Sequence, residues 1–149
     1  MIYLLLFLVS LSSLSADPSR IEALLTIGDA HLAMSELEPL LAEDPDNRTL
    51  QRLEILSLAK CGDITALLKA YSRYHDLKKE SFDKTLLEEV AWAIILKASD
   101  SHSPIIRQEA YIASFMTNDA KGMPICLKAL HDPSEQMRLL ATNLAARAH

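Results

Sequence analysis

Residues 94–103 read IILKASDSHS and residues 125–134 read ICLKALHDPS, so two apolar segments with the same Leu-Lys-Ala centre both run into a polar turn. The two segments align without a gap, Ile94 onto Ile125. The same register continues downstream, where Arg107 and Ala110 match Arg138 and Ala141. Periods of roughly 20 to 50 residues are typical of stacked helical hairpins. The second half of the chain is therefore predicted to be a helical-repeat array.

A second, slightly longer period relates Gly28-Asp29 to Gly62-Asp63 in the first half of the chain. Apolar residues at helical spacing, separated by turn residues, predict eight helices. Pro39 falls inside the second and should kink it. The predicted helices are 18–27, 30–43, 49–60, 64–76, 80–98, 104–115, 123–130 and 135–146.

Composition favours the same class of fold. The chain has 149 residues, of which half are apolar and 5% aromatic, with only three glycines. So few glycines argue against β-hairpins and glycine-rich phosphate loops. The net charge of −5, without a basic tract, argues against nucleic acid as a partner. We therefore predict an all-α fold, a right-handed solenoid of antiparallel helix pairs.

The first sixteen residues, MIYLLLFLVSLSSLSA, carry no charged side chain. An apolar run followed by small residues is typical of a secretory signal peptide, here cut before Asp17. The segment is too short and serine-rich for a stable membrane span. We expect export to the periplasm or cell envelope. A buried first helix or a misassigned start codon are the alternatives, which would leave the protein in the cytoplasm.

The first half resembles tetratricopeptide repeats, whose period of about 34 residues it shares. A turn, a small residue, a bulky residue and a proline carry the resemblance: Gly28-Asp29, Ala33, Leu37 and Pro45. In the copy that starts at Gly62, Leu67 replaces the small residue and Lys79 the proline. The resemblance implies helical hairpins over residues 17–79.

The second half, residues 80–149, resembles HEAT repeats of the short bacterial type found in phycobilin-lyase-like proteins. The segment 127–133, Ala141 and the pair Asp132 and Arg138, six residues apart, carry the resemblance. It implies that such a pair aligns repeats by binding turn carbonyls and neighbouring carboxylates. In the preceding repeat, Asp100 lies seven residues before Arg107, one position out of register. The equivalent small residue there is Ala110.

The last predicted helix is apolar around much of its circumference, with Met137, Leu139, Leu140, Ala141 and Leu144. An end repeat of a solenoid needs a polar outer face. We therefore expect an incomplete array that self-associates through this helix.

Residues that could carry chemistry are scattered. Glu88 and Glu89 diverge by about 100° around a helix, so they cannot act as a carboxylate pair. Cys61 and Cys126 lie about two repeats apart, too far for a disulfide. None of the five histidines has the four-residue spacing of a helical zinc site, and His75 and His131 precede Asp at helix ends. The five are His31, His75, His102, His131 and His149. No catalytic, cofactor or metal residue is predicted.

Aromatic side chains offer two candidates for recognition. Trp92 lies beside the apolar stripe of its helix and is predicted to anchor the core. Tyr71 and Tyr74, with Arg73, form the best candidate for a recognition surface, although Tyr71 also matches a packing position.

These features favour a non-catalytic protein-binding or scaffolding protein, whose concave face is formed by one helix of each pair. The alternative is an enzyme or enzyme subunit, by analogy with the phycobilin-lyase-like proteins. An enzyme should have a closed cavity with several buried titratable groups, whereas a scaffold should have an open groove.

Overall fold

A computed structural model gives the fold and describes residues 17–76 and 83–147. These two ranges form eight α-helices and contain no strand. A 3-10 turn (Ala120–Gly122) precedes the seventh helix. The helices are α1 (Pro18–Ile27), α2 (Ala30–Glu43), α3 (Arg48–Cys61), α4 (Ile64–Asp76), α5 (Lys84–Ser99), α6 (Pro104–Met116), α7 (Met123–Leu130) and α8 (Glu135–Arg147). The predicted signal peptide, residues 1–16, lies outside the described residues.

The predicted helices are confirmed, with ends that differ by a residue or two except at α5. That helix was predicted from residue 80. It begins at Lys84, because Asp83 has an N-cap conformation and accepts a hydrogen bond from the Leu86 N–H at 3.0 Å. Residues 80–82 lie outside the described part. Helix α2 continues through Pro39 to Glu43.

Local sequence accounts for most helix ends. The side chains of Asp17, Asp29 and Asn47 cap the N-termini of α1, α2 and α3 by accepting first-turn N–H groups. Gly28 and Gly62 end α1 and α3 with φ of 90° and 83°. Glycine favours these ends because a Cβ would strain the left-handed conformation.

The helices pack in chain order as an all-α solenoid. The consecutive pairs α1–α2, α2–α3, α3–α4, α5–α6, α6–α7 and α7–α8 pack against each other. Helix α3 also packs against α1 and α5, and α6 packs against α8. Three apolar clusters follow one another along the stack. The first joins α1, α2 and α3, the second α3, α4 and α5, and the third α6, α7 and α8. Trp92 and Ile95 of α5 pack against the third cluster.

The small residues singled out by the repeats lie inside these clusters. Ala33 and Ala141 are fully buried and Ala110 is 3% exposed. Leu67, which stands where the first repeat has a small residue, is also buried. Pro45 is exposed in the turn after α2, and its carbonyl accepts a hydrogen bond from Gln51 Nε2 at 2.7 Å.

Helix α8 is less exposed than its sequence indicates. Met137 and Ala141 are buried, and Leu140 packs partly buried against the third cluster. Leu139 is the large apolar residue of α8 that faces solvent, with 62% of its surface exposed. Within residues 17–76 and 83–147, no helix has the length and apolar character needed to span a membrane.

Candidate functional site

A groove of about 620 Å³ runs along one helix of each pair, formed by α1, α3, α5 and the start of α7. Its floor is mostly apolar and includes Leu53, Leu56, Trp92, Leu96 and Ile125. Leu96 keeps 52% of its surface exposed although it lies on a packed helix. The groove therefore presents apolar side chains to solvent along several repeats.

Trp92 has two roles that the sequence could not separate. The ring is half-buried, packs against the third cluster, and also lines the groove. Gly122 lies beside it: a Cβ there would be 3.3 Å from Trp92 Cη2 and 2.8 Å from the Ser114 carbonyl oxygen. With a φ of −75°, the Gly122 position does not require glycine for its backbone conformation; the close approach to α6 is what requires it.

The rim of the groove is charged. Arg52 Nη2 pairs with Glu89 Oε2 at 2.6 Å, and Lys121 pairs with Glu88. Glu88 and Glu89 thus have different cationic partners, which agrees with their predicted divergence around α5. Both are solvent-accessible members of ion pairs.

Lys60 differs from the other cations that line the groove. Its Nζ donates a hydrogen bond of 2.6 Å to the carbonyl oxygen of Leu25 near the end of α1. Among the described residues no carboxylate forms an ion pair with it, whereas Arg52 pairs with both Asp83 and Glu89 and Lys121 pairs with Glu88. The hydrogen bond to Leu25 therefore holds the ammonium group of Lys60, and its positive charge, at the edge of an apolar groove.

The titratable side chains of this groove all retain contact with solvent: Glu22, Arg52, Lys60, Glu89 and Lys121. In the described ranges, no group of three or more His, Cys, Asp or Glu side chains could hold a metal ion. The groove therefore has the open form expected of a binding surface.

The buried titratable groups lie elsewhere, at the turn between α7 and α8. Asp132 is 3% exposed, and its carboxylate accepts hydrogen bonds from Arg107 Nε and Nη2 at 2.8 and 3.1 Å. The Tyr111 hydroxyl and the Ser134 N–H donate to the same carboxylate at 2.7 and 2.8 Å. Both carboxylate oxygens of Asp132 are thus bound by neighbouring elements of the fold.

These contacts shift two pKa values. The hydrogen bonds from Arg107, reinforced by that of Tyr111, lower the pKa of Asp132 to about 2 against the opposing effect of burial. Burial, with the hydrogen bond to Asp132, raises the pKa of Tyr111 to about 12. Asp132 is therefore charged and Tyr111 neutral near neutral pH, which suits a structural network.

The two arginines, one repeat apart, bind their own turns in the same way. Arg138 Nη1 donates to the carbonyl oxygens of Asp132 and Pro133 at 2.8 and 3.0 Å. Arg107 Nη1 donates to those of Ser101 and His102 at 2.9 and 3.2 Å.

The position equivalent to Asp132 is therefore Ser101, which agrees with Asp100 being one position out of register in the sequence. Ser101 Oγ accepts the N–H of Ser103, as Asp132 accepts that of Ser134. Asp100 points to another element and pairs with Lys128 of α7.

The predicted recognition surface of Tyr71, Arg73 and Tyr74 is not supported. Tyr74 is 6% exposed, and its hydroxyl donates to Asp83 Oδ2 at 2.9 Å. The Arg48 guanidinium lies 5.5 Å from the centre of its ring. Tyr71 packs against the second cluster, and Arg73 pairs with Glu54. Tyr74 thus packs in the core, where α3 and Asp83 cover it.

The remaining polar candidates serve local structure. His131 Nδ1 lies 2.9 Å from the Leu127 carbonyl oxygen at the end of α7, as expected for a helix-end histidine. Cys61 and Cys126 are free thiols, and burial raises the pKa of Cys61. Cys61 Sγ lies 3.7 Å from His31 Nδ1. His149 lies outside the described residues.

Sequence reasoning missed Tyr111 and Lys60. Tyr111 lies one position after the small residue Ala110, and nothing in its neighbourhood indicates that the next hairpin brings Asp132 to it. The only signal for Lys60 was its place just before the Cys61-Gly62 turn, where a cation near a helix end is common.

A known family model matches the first half of the chain. Residues 9–89, more than half of the sequence, match the family model of the bacterial transcriptional activator domain, a helical, tetratricopeptide-like domain. The match includes α1 to α4 and the start of α5, and it begins within the predicted signal peptide. No curated protein and no solved structure matches. The chain is a helical-repeat protein and belongs to the bacterial transcriptional activator domain family.

Proposed function

We propose that this protein is a non-catalytic binding module that holds an apolar segment of a protein partner in the groove along α1, α3, α5 and α7. The observation that carries this proposal is the exposed apolar floor around Leu96 and Trp92. Beside it lies Lys60, a cation that forms no ion pair with a described carboxylate. Family membership supports a regulatory role through protein contacts.

The charge of the groove indicates the chemistry of the partner. Arg52 and Lys121 already pair with carboxylates of α5, whereas Lys60 has only the Leu25 carbonyl. A partner segment with apolar side chains and one flanking Asp or Glu would bury against the floor and complete the environment of Lys60. The net charge of −5 supports a protein rather than a nucleic acid as the partner.

The test compares the partners retained by the full chain with those retained by groove variants. Leu96→Glu places a negative charge on the apolar floor, and Lys60→Glu reverses the charge at position 60. Leu68→Glu is the control, because Leu68 is similarly exposed at 59% on α4 and does not line the groove. Quantitative mass spectrometry of proteins captured from the native host identifies the partner. Fluorescence anisotropy with peptides of that partner then gives affinities.

We expect both groove variants to weaken peptide binding at least about tenfold, while Leu68→Glu retains it. Retention of the same affinity by both groove variants would exclude this surface. A mobility-shift assay with duplex DNA covers the other class of partner, and tight binding of DNA by the wild-type chain would contradict a protein ligand.

We also propose that residues 80–149 are HEAT-like and form a second unit, separate from residues 17–79. The matching contacts of Arg107 and Arg138, one repeat apart, support it. The second cluster crosses that division, because α3 and α4 share it with α5.

Export is proposed on the sequence of residues 1–16 alone. The uncharged apolar run supports a signal peptide cut before Asp17, whereas the family match already begins at residue 9. Amino-terminal sequencing of protein from the native host decides between them. A chain starting at Asp17 supports export to the periplasm or cell envelope, and an intact Met1 on the folded protein would contradict it.

A further inference from the structure

Arg138 repeats the geometry of Arg107 only in part. Both guanidinium groups donate through Nη1 to two carbonyl oxygens of their own hairpin turn. The other edge of Arg107, formed by Nε and Nη2, binds both oxygens of Asp132 from the next hairpin. In the part of the chain that the structure describes, no carboxylate binds the same edge of Arg138. The guanidinium is therefore held in place, exposed and ready for one carboxylate.

Apolar surface surrounds this arginine. Leu139, its neighbour in α8, is 62% exposed. On α7, Leu127 and Leu130 are 53% and 36% exposed, and both line an apolar depression of about 370 Å³ that Phe115 of α6 and Ala145 of α8 also line. The last described hairpin therefore exposes large apolar side chains on both of its helices.

The opposite end of the stack carries a complementary carboxylate. Asp29 lies in the turn between α1 and α2, the two helices of the first hairpin. Asp132 lies in the equivalent turn of the last described hairpin, between α7 and α8. Asp29 is exposed, and its Oδ1 accepts the Leu32 N–H at 3.1 Å, which leaves Oδ2 without a hydrogen bond among the described residues. Ile27 and Leu32 beside it are 77% and 41% exposed.

We propose that a second copy of this chain docks head to tail, with its first hairpin against the last hairpin of the other copy and its Asp29 on Arg138. The contact would repeat the arginine–aspartate contact that joins the third hairpin, α5 and α6, to the fourth, α7 and α8. Leu139, Leu127 and Leu130 of one copy then pack against Ile27 and Leu32 of the other. Such a contact is heterologous and leaves both outer ends free, so association extends beyond a dimer as concentration rises.

Two single substitutions separate the ends of the contact. Asp29→Asn removes the charge but keeps a side chain that caps helices equally well, so α2 should remain intact. Arg138→Gln removes the guanidinium fork at the other end. Circular dichroism and thermal melting establish that each variant is folded. Sedimentation velocity of the full chain over a range of concentrations then measures association, with Glu38→Gln on α2 as a charge-matched control.

We expect the wild type and Glu38→Gln to form species larger than dimers. Each end variant alone should associate at least about tenfold more weakly, because a charge left unpaired in an interface is costly. The mixture is the decisive sample. The Asp29→Asn chain keeps an intact Arg138, and the Arg138→Gln chain keeps an intact Asp29, so an equimolar mixture should form one-to-one dimers that do not extend.

Three results would overturn the proposal. The wild type could remain monomeric at every concentration. The two end variants could associate as strongly as the wild type. Their mixture could be no heavier than either variant alone, which would indicate a symmetric contact that does not join the two ends.

Discussion

Arg107 and Asp132, 25 residues apart in sequence, meet through two parallel hydrogen bonds of 2.8 and 3.1 Å. The arginine belongs to α6 and the aspartate to the turn before α8, so this pair ties the last described hairpin to the one before it. Tyr111, one turn further along α6, donates to the same carboxylate. Paired, two-pronged contacts of this type are among the stronger polar interactions in proteins because both charge and geometry are matched.

Replacing Asp132 with Asn should destabilise the protein by about 3 kcal/mol. The amide keeps the shape of the side chain but leaves the largely buried Arg107 without a counter-charge, which is the costly way to break an ion pair. Urea unfolding followed by circular dichroism measures the effect. The matched control is Asp100→Asn, since Asp100 forms an exposed pair with Lys128 and its loss should cost at most about 1 kcal/mol. Equal losses in the two variants would contradict a special role for Asp132.

Stability should fall in acid through the same carboxylate. Its pKa is about 2 in the folded protein, against an ordinary value of 3.8 that the unfolded chain retains. Above about pH 5 both states are ionised and the stabilisation is complete. As the pH drops from about 5 to 2 the unfolded chain binds the proton first, so the free energy of unfolding decreases by about 2 kcal/mol from this group. Urea titrations across that window, compared with Asp132→Asn, isolate the effect; a wild-type advantage that stays constant down to pH 2 would refute it.

Ala110→Phe and Ala141→Phe should each lower stability by about 1 to 3 kcal/mol through overpacking. Both alanines are buried, the first 3% exposed and the second not at all. Ala91→Phe is the control, because Ala91 is exposed on α5 and should tolerate the ring within about 0.5 kcal/mol. Differential scanning calorimetry gives the three melting temperatures. Unchanged melting of both buried variants would mean that the hairpins do not need small residues where they meet.

Gly122→Ala should destabilise the protein although its backbone dihedrals suit any residue. The new Cβ would lie 2.8 Å from the Ser114 carbonyl oxygen, so the 3-10 turn has to move away from α6, at a cost of about 1 to 3 kcal/mol. At Gly28 there is space for a Cβ, and the cost there, about 1 kcal/mol, arises from φ of 90°. Thermal melts compare the two. A crystal structure of the Gly122→Ala protein with the turn unmoved would show that this contact is not tight.

The helices could be predicted from sequence because their ends depend on neighbours in the chain. Asp29 and Asn47 cap the first turn that follows them, and Gly28 and Gly62 supply the left-handed conformation that ends a helix. A capping side chain needs no information from the rest of the fold.

Contacts between hairpins were harder to predict, and the errors have a common origin. The repeat in the second half identified Arg107 and Arg138, but the partner of Arg107 depends on how far one hairpin slides along the next. The prediction that Tyr74 lies on the recognition surface failed for the same reason, because contacts between helices decide its burial. Helical spacing shows which residues share a face, but only packing shows that Arg48 and Asp83 cover that face.

The groove was anticipated as a class of surface and not as a set of residues. One helix of each pair forms it, as in the predicted solenoid, yet no periodicity distinguishes the exposed Leu96 from the buried Leu53. Lys60 acquires its position from the Leu25 carbonyl, 35 residues upstream.

Helix α3 belongs to two apolar clusters at once, with Leu50 and Leu53 buried in the first and Ile55 and Leu58 in the second. In an ideal linear array each unit can melt without its distant neighbours, since only adjacent interfaces hold it. Here the loss of α3 would expose the inner faces of α1 and α2 together with those of α4 and α5. We therefore expect the first five helices to open as one cooperative unit, with the amide protons of α3 the last among them to exchange with solvent.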